Sequence, residues 1–158
     1  MSSAGLQDLN VWVKAKAFAV FVYKEILPIL PEEEKYGLNQ QIRRAAVSIS
    51  SNIAEGYGRF NFQDNIRFCY IARGSLNETI SMIALSEELG FMPRKILEES
   101  LKLSEDLAKM LHGYISFLKK TKTESQPKII RDMNEKYRSK IDIDNENDLD
   151  QSDFALEN

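Results

Sequence analysis

Apolar residues along the first 122 positions recur three and four apart and never alternate, so the pattern predicts helices and no sheet. Regular punctuation cuts this pattern into four long segments. The first is expected from about Asp8, a plausible N-cap, to Leu27, where Pro28, Pro31 and the acidic turn EEEK close it. The second covers roughly Tyr36 to Glu55 and ends at Gly56-Tyr57-Gly58, where a glycine in the left-handed conformation would stop it. Asn61 reads as the N-cap of the third, with Asp64 favouring the positive end of its dipole, and Gly90 closes it. Pro93 suits the first turn of the fourth, which continues through Leu101, Leu111 and Leu118 to about Lys120. Short connections make neighbours antiparallel, so the expected fold class is all-α, an up-down-up-down four-helix bundle over residues 1–122. A linker with a short charged helix is expected over 123–140, and an unstructured acidic tail over 141–158.

The width of the apolar faces adds a second expectation. In the first helix the apolar positions spread over roughly 220° of the wheel, and in the fourth over roughly 200°, more than one bundle core can cover. A second apolar face calls for a second partner, which points to a homo-oligomer held through these two helices. Trp12, Val22, Ile26, Tyr114 and Phe117 are the interface candidates.

Within the second helix, Ile42, Ala45, Ala46, Ile49 and Ile53 form an apolar seam, and Gln41, Arg44, Ser48, Ser51, Asn52 and Glu55 gather on another side. Small residues in both sets allow a neighbouring backbone to come close.

Composition narrows the chemistry. At 158 residues with 43 % hydrophobic content the chain suits one domain plus a tail. No apolar run approaches the length of a membrane span and the first ten residues lack signal-peptide character, so a soluble cytoplasmic protein is expected. The net charge of −3 is unevenly spread, because residues 141–158 hold seven acids and no base, and the preceding part is mildly basic. Such a tail could fold back on a basic surface of the assembly and compete with an anionic partner. The single cysteine, Cys69, sits in the helical run IRFCYIA and reads as a buried hydrophobe.

Enzyme signatures are missing from the pattern. The di-iron arrangement needs Glu-x-x-His pairs, whereas the only histidine, His112, follows Lys109 at that spacing. The GYG stretch lacks the lysine and hydroxyl of a phosphate-cradling loop. Ser48 and Ser51 have no basic partner for nucleophilic catalysis. Glu55 pairs with an arginine such as Arg44 or Arg59, or binds backbone donors, or else forms a ligand site with Asn52. No catalytic residue, cofactor or metal is therefore expected.

Five arginines, Arg43, Arg44, Arg59, Arg67 and Arg73, fall around the turn between the second and third helices, interleaved with Tyr57, Phe60, Phe62, Phe68 and Tyr70. Guanidinium groups contact phosphates bidentately and aromatic rings stack on unpaired bases, so this mixture suits RNA or DNA binding. The alternative is a scaffold that recruits a protein partner without binding nucleic acid itself.

The opening DLNVWVKA at 8–15, the block EKYGLNQQIRRAAVSISSNIAEGYGR at 34–59, FCYIARGSLNE at 68–78 and the ELGF turn at 88–91 closely resemble the proteins encoded in intervening sequences of 23S ribosomal RNA genes. The resemblance covers roughly residues 6–120. It implies an antiparallel four-helix bundle and, as in related proteins, a barrel-like homopentamer. Accessory proteins of diversity-generating retroelements look like distant relatives, and they are basic pentameric partners of a reverse transcriptase and nucleic acid. The family motif maps onto Arg43, Arg44, Ser48, Asn52, Glu55 and Gly56, with no catalytic role attached to any of them.

Overall fold

The computed structural model describes residues 5–59 and 61–152, with side chains to residue 123. Four α-helices carry the fold: α1 Asn10–Phe21, α2 Leu38–Tyr57, α3 Phe62–Glu88 and α4 Arg94–Ser152. No strand occurs among the described residues, which establishes the all-α class. The chain divides into two compact units, residues 1–119 and 120–158. The first unit holds the bundle.

Cross-helix pairs show how that bundle runs. Lys14 of α1 meets Asp106 of α4 at 3.9 Å. Ser48 of α2 meets Ser75 of α3 at 2.9 Å, and the end of α2 at Gly56 abuts Asn65 and Phe68 near the start of α3. Asn65 of α3 donates to Tyr114 Oη, late in α4, at 3.2 Å, whereas Glu87, at the end of α3, pairs with Arg94 at the start of α4. In α2 against α3, and in α3 against α4, later residues of one helix face earlier residues of the next, which is the antiparallel order that short connections dictate. Between them the helices enclose Ile26, Ile42, Ile49, Ile53, Ile83, Leu107 and Leu111, all fully buried. Each such side chain contributes about 1.5–3 kcal/mol through burial.

Local chemistry explains most of the boundaries. Asn61 caps α3 by accepting from Gln63 N at 2.8 Å. Gly90, the only described residue with positive φ, at 75°, ends it. There Phe91 N donates to Ser86 O and Gly90 N to Glu87 O, the paired bonds that satisfy the last carbonyls of a helix.

Several expectations need correction. Gly56 and Gly58 do not stop α2 by going left-handed: Gly58 sits at φ −74°, and Gly56 lies inside the helix. Asp8 does not cap α1, since Leu9 holds the cap position and Asp8 Oδ2 accepts instead from Gly5 N at 2.9 Å. After α1 the chain continues into a widened π-turn, Val22–Ile26, followed by 3₁₀ turns Leu27–Ile29 and Glu32–Glu34. Pro28 prevents the regular helix from continuing, because it offers no N–H to the carbonyl four residues back and its ring crowds that carbonyl. Finally, α4 runs to Ser152, so no helix end lies near Lys120. Ile129, Ile130, Met133 and Tyr137 keep a helical apolar spacing beyond that point, which explains the continuation. The side chains of the expected acidic tail, and all of residues 153–158, lie outside the described residues.

Among the described residues no helix is long and apolar enough to cross a membrane.

Candidate interaction surfaces

The family-motif residues of α2 build a polar seam against α3. Ser48 Oγ and Ser75 Oγ lie 2.9 Å apart. Asn52 Nδ2 donates both to Ser48 O at 2.7 Å and to Ser48 Oγ at 2.9 Å, and Ser75 Oγ reaches Ile71 O at 3.2 Å. The hydroxyls and the amide satisfy one another, and no buried side-chain polar atom among the described residues lacks a partner. A turn further on, a Cβ on Gly56 would come within 2.9 Å of both Phe68 Cβ and Asn65 Oδ1. Only glycine fits there. Glu55, on the outer side, forms an ion pair with Arg59 one turn later. Within the chain the seam packs α2 on α3, with Asn52 bonded to Ser48 and Glu55 paired with Arg59.

Cys69 is fully buried near Asn65 Oδ1, and desolvation pushes its thiol up to about 11. At neutral pH it is a protonated, inert hydrophobe. Burial likewise raises the Tyr114 phenol, which accepts the hydrogen bond from Asn65. His112 is exposed, and no group of three His, Cys, Asp or Glu side chains among the described residues could hold a metal.

The five arginines do not converge. Arg43 hydrogen-bonds Asn39 and lies 5.8 Å from the ring of Tyr23, on the α1 side of α2. Arg44 faces α3, where with Gln40, Gln41 and Glu78 it lines a cleft of about 260 Å³. Arg59 reaches over Phe68 at 5.2 Å while paired with Glu55. Arg67 is exposed on α3. Arg73 lies 4.8 Å from the ring of Tyr70, and Lys119 approaches the same ring at 5.5 Å. This two-cation aromatic cluster was hidden in the sequence, because Lys119 lies 49 positions after Tyr70. Phe60 lies outside the described residues.

The surplus of bases before residue 141 is concentrated in one stretch. Residues 1–119 hold 14 Lys and Arg against 14 Asp and Glu, while residues 120–140 hold seven against three. The bundle itself is electroneutral.

Of the interface candidates, Val22 and Ile26 are wholly consumed by the core of the chain itself and have no surface to offer. On a regular helical wheel both fall among Val11, Ala15, Phe18 and Ala19, the buried side of α1, so the breadth of the arc was right but these two members belong to its inner half. Trp12 is half-buried with Lys16 Nζ 4.6 Å from its ring, Tyr114 is half-buried, and Phe117 is 62 % exposed.

The fold is an all-α bundle whose polar seam between α2 and α3 is satisfied from within. The family model described as 23S rRNA-intervening sequence protein matches residues 7–113, and the chain belongs to that family. A solved structure from Bacteroides thetaiotaomicron VPI-5482, a protein with unknown function from the S23 ribosomal protein family, is similar at 28 % identity and a TM-score of 0.62, covering 67 % of this chain and 95 % of that one. No curated protein matches the chain.

Proposed function

We propose that this protein is a non-enzymatic, self-assembling bundle that serves as a binding scaffold, with five subunits as the number its resemblance suggests. The observation that carries this reading is the two-sidedness of α1. Val11, Ala15 and Phe18 are buried in the bundle, yet Val13 and Val20 on the same helix stay exposed. A helix with a second apolar strip outside its own core is completed by a neighbour. Trp12, Tyr114 and Phe117 remain candidates to share the contact. Light-scattering mass of the purified protein tests the reading: a multiple of 18.2 kDa is expected, and a monomer at working concentration overturns it.

RNA or DNA as the partner is a second reading, favoured by the cations around Tyr70. A guanidinium and an ammonium beside one ring can hold phosphate while the ring stacks on a base. The electroneutral bundle supplies no general field to help, so such binding would rest on local clusters and on the surplus in residues 120–140. A scaffold that recruits a protein instead predicts negligible nucleic-acid affinity at physiological salt.

A further inference from the structure

On the α1 face away from the α4 junction lies a groove of about 390 Å³, lined by Lys16, Ala19, Val20, Tyr23 and Lys24. Its floor is almost wholly apolar, with Val20 47 % and Tyr23 44 % exposed. Two lysines flank it, and Arg43 of α2 lies against Tyr23. Residues 9–24 contain three lysines and no acid, so the groove is electropositive as well as apolar. Its natural occupant presents an apolar side chain between two carboxylates.

The outer face of α4 presents that pattern. Leu101 is 41 % exposed and lies between Glu98 and Glu105, three residues before and four after, which places all three on one stripe. Residues 98–106 carry Glu98, Glu99, Glu105 and Asp106 against the single base Lys102. The spacings agree: Lys16 to Lys24 spans about 12 Å of helix and Glu98 to Glu105 about 10.5 Å. Glu98 pairs with Arg94 and Glu105 with Lys109 on their own helix, but these pairs are exposed and hold weakly enough to be exchanged. Within one chain the stripe does not meet the groove, because α1 and α4 join through Lys14, Phe18, Phe21 and Leu103 instead.

We infer that the α1 groove is the seat of a second copy of this chain, whose Leu101 enters between Lys16 and Lys24 while its Glu98 and Glu105 pair with those lysines. Groove and stripe are different patches, so the contact is heterologous: each subunit that fills one groove leaves its own groove for the next. Such a contact closes into a ring or runs on as a filament. The inference rests on the self-assembly proposed above and names the contact that would produce it.

Charge reversal tests it. K16E/K24E in one full-length chain and E98K/E105K in another should each reduce the light-scattering mass to a single subunit, with helical circular dichroism retained. Combining all four reversals in one chain, K16E/K24E/E98K/E105K, should restore the assembly whatever its number of subunits, because every groove again meets a stripe of opposite sign. Should a doubly reversed chain lose its helicity, the single reversals K24E and E98K and the combined chain K24E/E98K take its place. An assembly whose mass survives both reversals overturns the inferred contact and leaves self-assembly standing, as does dissociation that the combined reversals fail to repair. A monomeric parent protein overturns self-assembly and the contact together.

Discussion

Gly56 and Cys69 show how tightly single atoms are specified where α2 meets α3. A methyl group on Gly56 would press on Phe68 Cβ and on the backbone oxygen of Asn65, at 2.9 and 3.1 Å, and neither belongs to the free end of a flexible side chain. Gly56→Ala should therefore lower stability by about 1–3 kcal/mol in urea unfolding, the usual cost of overpacking. The seam serine Ser48 is more forgiving, because Ser75 keeps its bond to Ile71 O and Asn52 keeps Ser48 O if the hydroxyl is removed. For Cys69 the sign is set by burial: the folded thiol titrates at about 11, above its ordinary value of 9.0. Its contribution to stability is complete below pH 9 and is lost as pH rises through 11. A thiol reagent at pH 8 should leave the native protein unlabelled and modify it quantitatively in denaturant; fast labelling of the native chain would contradict the buried position. Cys69 could be read directly, since a lone cysteine amid apolar helical neighbours is usually packed inside. The role of Gly56 could not, because its reason lies on α3, nine residues and a turn away.

The helices differ in how openly their ends were written. Asn61 and Gly90 act through their own backbone neighbourhood, so local chemistry was enough to place both ends of α3. The π-turn at Val22–Ile26 was not legible in the same way: Pro28 announces a break but not whether the preceding turn widens, tightens or frays. Glycine position separates two further outcomes on α3. Gly90→Ala forces a side chain into a left-handed backbone and should cost roughly 1–2 kcal/mol. Gly74 lies mid-helix with open space where a Cβ would go, so Gly74→Ala should add roughly 0.5–1 kcal/mol. Thermal melts of the two variants should move in opposite directions, and parallel shifts would show that α3 does not end as described.

Charge is where the whole molecule departs most from its composition. Five arginines close in sequence looked like one basic surface, but the helical turn sends Arg43 towards α1, Arg44 towards α3 and Arg73 to the ring of Tyr70. Periodicity was enough for the four-helix fold, whereas the direction of each long side chain depends on which neighbour occupies the adjoining groove. If nucleic acid is the partner, Arg73→Glu should weaken RNA binding roughly three- to tenfold at low salt, and Arg43→Glu less. Anisotropy titrations at two salt concentrations distinguish these cases, and equal effects would rule out a special role for the Tyr70 cluster.

The widened turn after α1 has an evolutionary corollary. A π-turn amounts to one residue added to an otherwise regular helix, so it stores an insertion without shifting the phase of what precedes or follows it. Deleting one exposed residue there, such as Lys24, would close the loop of backbone to ordinary pitch while Phe18 on one side and Leu30 on the other keep facing inward. Chain length could therefore drift by one at this place between relatives, and a gap in an otherwise continuous pairing of their sequences would fall here sooner than anywhere else in the first helix.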